Sequence, residues 1–488
     1  MIRQDIIDRL CKDHSGVSSE EGLRDYAIAN PLVEGWKRPA CALKPADVPA
    51  LQQIIRTAAA EKLGVVPVSS GGPHVRGGTA CAKDHAAVDL SGWKKIPWAD
   101  RRNRVCIVEP GVTYGELNDF LTGYGMTMPT PLAPRSTKSV LAAVVDREPH
   151  IWPRLHWDMQ DPVASTEFIY GTGELFRSGA AGGPGSLEDQ RRSGGAQKMP
   201  MGPGQSDFQR IVIGSQGSMG VMTWISLRTE IRPAIERPML VTAERLDRVA
   251  GYVYQAQRPW LGEHSFVLNR TAAAMLMTRE RRGDYERVRG SLPAYVCLQN
   301  IAGFERLPKE RLAYQHDELK EMAGENGCLF ADSAGAVAAS ALLDASRTPC
   351  GPADWRHALK GHCLSVFFLS LLNRAEEHIE TARVSAATLG IAPERIGVYL
   401  QPIVQNHACH MELMVPYDPV NEKDIDTMRK LEADLTARLM SARVFFSRPY
   451  GTAARTVFAN NPGNAALLHI IKEMFDPAGV LSPGRFSL

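Results

Sequence analysis

The sequence predicts an α+β protein of more than one domain. Three observations carry that reading. Short β-type runs alternate with amphipathic helical stretches from residue 46 to residue 121. A strand–turn–strand pattern occupies 166–177, and the composition changes near Pro233, after which strands mix with long amphipathic helices as far as residue 441. The chain has 488 residues, 44% hydrophobic and 23% charged. That is ordinary globular composition and enough chain for two or three domains.

Residues 46–64 read as a helix, because Val48, Leu51, Ile54, Ile55 and Ala58 fall on one stripe and Gly64 stands where a C-terminal cap belongs. Val65–Val68 is a short strand, followed by a glycine-rich loop from Ser69 to Gly78. Ala87–Leu90 and Val105–Val108 are further strands, Gly111 turns the chain, and Tyr114–Leu121 begins a second helix. Thr166–Tyr170 and Leu175–Arg177 flank the turn Gly171-Thr172-Gly173-Glu174 as a hairpin. Residues 179–206 are dense in glycine and proline and read as a loop or insertion. A strand follows from Met222 to about Ile231, and Lys309–Gly324 and Asn421–Met440 read as helices. The strand Gly397–Pro402 precedes a segment in which His410 and Glu412 alternate in phase and share one face. The expected organisation is an N-terminal helical segment at 1–34, a first domain at 35–233, a second at 234–441 and a C-terminal segment at 442–488.

A formal net charge of +2 gives no sign of a nucleic-acid partner. The nine cysteines are scattered without a CxxC, which argues against a disulfide framework, a zinc ribbon or a cysteine-ligated cluster. No metal site is expected. The N-terminus lacks the apolar core of a signal peptide and no apolar run reaches 18 residues, so a cytoplasmic protein without a transmembrane segment is expected.

The loop after Val68 is neither GxGxxG nor a Walker A loop, since no helix follows at once and no Gly-Lys-Ser/Thr closes it. The order of motifs is more specific. Pro67-Val68-Ser69-Ser70-Gly71-Gly72, Val88-Asp89-Leu90-Ser91, Val108–Leu117, Ser139-Val140-Leu141, Gly173–Gly179, Gly217–Thr223, Arg448-Pro449-Tyr450-Gly451 and Phe475–Arg485 together resemble the vanillyl-alcohol oxidase / p-cresol methylhydroxylase family. The resemblance covers about 35–235 and 395–488, with a variable cap between.

The resemblance implies a PCMH-type FAD-binding domain of two subdomains and an α+β cap with a ferredoxin-like sheet. It implies FAD as cofactor, held by Pro67, Ser69, Ser70, Gly71, Gly72, Pro73 and His74, by Gly111, by Ser136, Thr137 and Ser139, by Gly217, Gly220 and Val221, and by Arg485. Where relatives carry a glycine-rich stretch, this chain has Pro131–Ser139 without glycine, which puts Arg135 or Lys138 near the cofactor. His410 matches a position that faces the flavin, as a base, a contact or an attachment point. Tyr450 and Arg455 lie where p-cresol-type relatives bind a phenolate oxygen, although the spacing here differs by one residue. His156 and Trp157 lie in a tryptophan-rich stretch that could stack on an aromatic ring.

The implied activity is FAD-dependent oxidation of a small aromatic, phenolic or benzylic alcohol-type substrate, by hydride transfer to flavin N5. Electrons then pass to oxygen or to an acceptor protein. A homo- or hetero-oligomer is expected. Two alternatives stand beside this: a 2-hydroxy-acid dehydrogenase like the flavin subunit of glycolate oxidase, and an electron-transfer subunit of a larger complex.

Overall fold

The computed structural model describes residues 4–27, 30–33, 35–75, 78–159, 161–195, 197–202 and 207–485. Arg76 and Gly77 of the first glycine-rich loop, and parts of the 179–206 stretch, lie outside the described residues. The N-terminal part contributes α1 (Gln4–Asp13), β1 (Cys41–Leu43), α2 (Val48–Glu61), β2 (Gly64–Val68) and β3 (His85–Asp89). The three strands form a parallel sheet in the order β1-β3-β2. Asp47 caps α2 by accepting the Ala50 N–H. The α2 stripe of Leu51, Ile54, Ile55 and Ala58 packs with Val65, Ala86 and Val88 in one apolar cluster. The helix ends at Lys62, in left-handed conformation (φ 54°), and not at the expected Gly64, which already belongs to β2.

A second subdomain follows with β4 (Trp98–Asp100), β5 (Val105–Val108), α3 (Tyr114–Thr122), β6 (Met126–Thr127), α4 (Val140–Val145), β7 (Val163–Ile169) and β8 (Leu175–Arg177). It continues with α5 (Leu187–Arg192), α6 (Gln209–Val212), β9 (Val221–Arg228) and β10 (Glu230–Ile231). Its antiparallel five-stranded sheet runs β4-β5-β9-β7-β8. A capping box between Thr113 and Glu116 starts α3. The 179–206 stretch is more structured than its composition suggests. It contains α5 with its own Ser186–Asp189 capping box, and its Gln190 and Gln197 are buried and bonded to each other at 3.0 Å.

The cap carries β11 (Ile235–Ala243), α7 (Leu246–Gln257), β12 (His264–Asn269), α8 (Arg270–Met277), α9 (Tyr285–Ser291), β13 (Tyr295–Gly303), α10 (Pro308–Glu325), β14 (Leu329–Ala331), β15 (Ser333–Ala334) and β16 (Val337–Ala338). It goes on with α11 (Ala339–Arg347), β17 (His362–Ser370), α12 (Ala375–Thr388), β18 (Gly397–Ile403), β19 (Ala408–Tyr417) and α13 (Glu422–Ser441). Its sheet has seven antiparallel strands in the order β14-β11-β13-β12-β18-β19-β17. Alternate residues face opposite sides. Phe368, Val398, Leu400, Met411 and Leu413 pack with α7, α10, α12 and α13. Phe266, Leu298, Tyr399 and Met414 belong to a second core, which also takes in Leu132, Ala133, Ile151 and Trp152 from the first domain.

The chain then returns through α14 (Gly451–Ala459) and α15 (Pro462–Phe475). Lys472 of α15 is buried, where it ion-pairs with Asp476 and donates to the carbonyls of Ser218 (2.6 Å) and Leu481 (2.8 Å). Asp476 in turn accepts the Val480 and Leu481 N–H groups. All nine cysteines are free thiols, and burial pushes Cys106 and Cys297 up to about 12. Among the described residues no helix is long and apolar enough to cross a membrane. Lys472→Met should cost about 3–5 kcal/mol, because Asp476 is left as an uncompensated buried charge. Denaturant unfolding of the variant measures that loss, and a midpoint equal to wild type would contradict it.

Candidate active site

Loops of the two subdomains, the cap and the returning chain converge on a cleft of about 260 Å³. Four segments line it: 67–75 after β2, 131–149 around α4, 216–222 before β9, and the cap residues Asp354, Arg356, Tyr399 and Glu412. Arg448, Tyr450 and Arg485 of the returning chain complete the wall.

The first two segments are clipped together. Gly71 N–H donates to the Thr137 carbonyl (3.1 Å), Thr137 Oγ1 to the Gly72 carbonyl (3.0 Å), and Ser139 N–H to Ser70 Oγ (3.0 Å). Arg135 donates to the Gly71 carbonyl (2.7 Å) and to Thr137 Oγ1 (2.8 Å). The glycine-free stretch is instead pinned to the cap loop after α11. Ala133 N–H donates to the Ser346 carbonyl (2.6 Å), Ser136 N–H to Cys350 (2.8 Å), and Cys350 N–H to Pro134 (2.9 Å). Lys138 lines the cleft but is paired with Glu148 at 2.7 Å.

Glycine matters most at 217. Its φ is +77°, and a Cβ there would stand 2.8 Å from Pro67 Cγ and 3.0 Å from Ser482 Oγ. Gly111 meets a different demand. A Cβ would fall 2.2 Å from the Ser91 carbonyl, so this glycine lets two backbones touch and does not line the cleft.

Of the residues expected to hold cofactor, Pro67, Ser69, Ser70, Pro73, His74, Gly217, Gly220, Val221 and Arg485 line the cleft, as do Arg135 and Lys138. Gly71, Gly72, Gly111, Ser136, Thr137 and Ser139 stand behind that wall and hold it in place. Ser139 shows why: its hydroxyl donates to the Pro110 carbonyl (2.5 Å) and accepts the Ala142 N–H (3.0 Å) as the cap of α4. Arg485 lies over the Trp36 ring (4.5 Å) and donates to the Ala80 carbonyl (3.1 Å).

The cap end is aromatic and charged. Glu412 and Arg356 form a buried two-point pair at 2.9 and 2.7 Å, and Arg356 also reaches Asp354 at 3.2 Å. Burial alone would weaken the charge on Arg356, but these two carboxylates outweigh it and hold the guanidinium above its ordinary pKa. The Arg448 guanidinium lies 4.4 Å over the Phe367 ring, and the Tyr450 ring stands 6.1 Å from the same ring, edge-on.

His410 is buried between Trp157 (5.8 Å), Tyr399 (5.6 Å) and Phe367 (6.1 Å), one layer behind the open cleft. Burial pushes its pKa down to about 4 against the pull of Glu412, whose carboxylate is 4.0 Å from Nε2. Arg455 is a correction to the sequence expectation. It is exposed on α14 and outside the cleft. His156 also lies outside, paired with Asp158 at 2.9 Å. Glu412, Tyr399 and Arg448 lie in segments that the sequence singles out without giving these three residues roles, whereas Arg356 has no motif around it. Among the described residues no group of three or more His, Cys, Asp or Glu could hold a metal ion.

Residues 39–179 match the FAD binding domain family. An uncharacterized FAD-linked oxidoreductase of Mycobacterium tuberculosis is 24% identical over 94% of this chain and 93% of its own. The mitochondrial D-lactate dehydrogenase [cytochrome] of Arabidopsis thaliana is 26% identical over 39% of this chain and 30% of its own. The 4-cresol dehydrogenase [hydroxylating] flavoprotein subunit of Pseudomonas putida is 25% identical over 36% and 33%. Among solved structures, p-cresol methylhydroxylase with substrate bound superposes with a TM-score of 0.83 at 16% identity, over 99% of this chain and 96% of that one. The 4-ethylphenol oxidase of Gulosibacter chungangensis, in complex with isoeugenol, gives 0.79 at 15%, over 99% and 96%.

The cleft suits FAD on its own chemistry. Its floor is backbone and serine hydroxyl at 67–75, approached closely by glycine at 217. The buried Ser482 Oγ beside Gly217 has no hydrogen-bond partner among the described residues. Two outcomes are expected. Gly217→Ala should weaken FAD binding about tenfold or more, from strain of about 1–3 kcal/mol, measured by flavin fluorescence titration. Wild-type affinity would contradict it.

The second outcome concerns pH. Burial depresses His74, His150 and His410 to about 4 and His264 to about 3. The unfolded chain therefore binds more protons below about pH 6.5. Stability present above that pH should fall as pH drops toward 4, and a urea midpoint unchanged between pH 7 and pH 5 would refute the linkage.

Proposed function

We propose that this chain, an FAD-linked oxidoreductase with the fold of p-cresol methylhydroxylase, oxidises a small phenolic or benzylic substrate held at the cap end of the cleft. The observation that carries the reading is the arrangement around Phe367, where Arg448 lies over the ring face and Tyr450 stands at its edge. A guanidinium and a phenol hydroxyl lining one wall suit an anionic substrate oxygen. The Tyr399 ring on the same wall, with Phe367 packed under Arg448, suits an aromatic body. FAD, when bound, supplies the hydride acceptor.

The protein's own residues bind and orient the substrate. Arg448 meets the substrate anion as the cation of the wall, while the two-point bond from Arg356 offsets the charge of Glu412 and holds that carboxylate in one orientation. His410, neutral above pH about 4 and 4.0 Å from the Glu412 carboxylate, stands behind that carboxylate and does not reach the substrate. His410 sits behind Tyr399 and Glu412, which favours non-covalent FAD. Electrons leave to oxygen or to an acceptor protein. A second reading, oxidation of a 2-hydroxy acid, draws on the likeness to D-lactate dehydrogenase, because the same guanidinium would fit a carboxylate.

An anaerobic screen of phenols, benzylic alcohols and 2-hydroxy acids for flavin bleaching separates the two readings, and no bleaching by any of them defeats both. With the substrate so found, Arg448→Ala should raise the barrier to flavin reduction by about 2–4 kcal/mol, with Arg448→Lys rescuing only in part. Arg455→Ala should reduce at the wild-type rate. Rapid-mixing kinetics on flavin-replete protein makes the comparison, and a wild-type rate for Arg448→Ala would reject its role.

A further inference from the structure

The turn that carries Arg448 is held on both sides by residues from the FAD-binding half of the protein. Arg147 donates from Nη2 to the Ser447 carbonyl, and Gln216 Nε2 donates to the Pro449 carbonyl at 2.9 Å. The two acceptors belong to the residues just before and just after Arg448. Both donors stand in the left-handed backbone region, Arg147 at φ 55° and Gln216 at φ 52°. Glycine adopts that backbone readily, whereas any residue with a Cβ is strained by it. A strained residue kept beside a cleft points to a use for its side chain.

The surroundings keep both side chains in place. Gly214 leaves room for the Arg147 guanidinium, since a Cβ there would stand 2.8 Å from Nε and Nη2. Arg147 Nη1 reaches the Asp158 carbonyl at 3.3 Å. Gln216 Oε1 accepts from Arg485 Nη1 at 3.4 Å, which leaves the amide nitrogen directed to Pro449. Burial lowers the pKa of Arg147 and of Arg485, and on each the strongest opposing pull comes from Tyr450, so both guanidiniums lie near that phenol. Gln216 also adjoins Gly217, whose backbone closely approaches Pro67 and Ser482 on the cofactor wall. One side chain therefore joins the cofactor wall to the turn that bears Arg448 and Tyr450.

We propose that Gln216 is a positioning residue for the substrate-oxygen wall, its amide fixing the Pro449 peptide and with it the directions of Arg448 and Tyr450 on either side. This rests on the reading of Arg448 and Tyr450 as the groups that meet an anionic substrate oxygen. Glycine would fit the backbone at 216 without strain, and glutamate would match the length of the side chain. The amide donor is what the native residue has and both of these lack.

Spectral titration of the FAD-loaded full chain with 4-hydroxybenzaldehyde measures the effect. Gln216→Gly relieves the backbone and removes the amide. It should keep wild-type flavin content and unfolding midpoint, yet weaken the ligand about five- to tenfold, the usual contribution of one hydrogen bond. Gln216→Glu keeps the contact with Arg485 but cannot donate to Pro449, and should weaken the ligand at least as much. In an Arg448→Ala background, Gln216→Gly should bring a smaller loss than it does alone, because the two residues act through one turn. Wild-type affinity in both Gln216 variants, with Arg448→Ala weakened, overturns the proposal and leaves the reading of the wall intact. An equal loss in the Arg448→Ala background also overturns it, since Gln216 would then meet the ligand on its own. So does a parallel loss of flavin or of stability in both variants, which would make Gln216 a scaffold residue. No binding by the wild type, or wild-type affinity in Arg448→Ala, overturns the reading of the wall and this proposal with it.

Discussion

The alternation of side chains along β17, β18 and β19 is the constraint on which the candidate site depends. Because the period of a strand is two, each of these strands must serve a helix layer with one set of residues and the cleft with the other. Phe368, Leu400 and Met411 are held in the helix-covered core, so Phe367, Tyr399, His410 and Glu412 are forced to the opposite side, where the FAD binding domain meets the cap. A slip of one residue in β19 would turn Glu412 away from Arg356 and into the helix-covered core. Register is therefore strongly specified, and the cap delivers a carboxylate, an imidazole and two rings to one place without any glycine-rich motif of its own.

The other half of the site depends on a chain that leaves and comes back. The FAD binding domain has its first strands near residue 41, yet Leu481 bridges in parallel to Val65 of its β2 strand, and Arg485 lies over Trp36. The Lys472–Asp476 pair fixes that return and, through the Ser218 carbonyl, fixes the loop that carries Gly217. One buried lysine thus links the outer helix to the cofactor wall. The same anchoring leaves the apolar side of α15 facing outward.

Much of the fold was legible in the sequence because it follows from local rules. The stripe of α2, the turn at Gly111 ahead of α3, the 166–177 hairpin and the in-phase His410 and Glu412 are periodicity and turn chemistry, which act over a few residues. The placements that the sequence did not anticipate share the opposite character. Arg455 was placed at the site by its position in a motif, but α14 turns it outward, and Arg448 occupies the wall instead. Ser136 and Thr137 stand in the right segment, yet tertiary bonds to Cys350 and Gly72 engage them. Arg356 lies in the cap far from any motif and is recruited only because β19 brings Glu412 beside it. Gly64 was displaced as a cap by Lys62, whose left-handed backbone ends the helix two residues sooner.

On the proposed reading, the cap and the returning chain together form an oxyanion-and-aromatic wall against the cofactor. A crystal structure of the FAD-loaded protein soaked with a phenolic ligand such as 4-hydroxybenzaldehyde tests that directly. The phenolic oxygen is expected within hydrogen-bond distance of Arg448 and Tyr450, with the ring beside Tyr399. A ligand bound with its oxygen directed away from both residues, or seated outside this cleft, would contradict it.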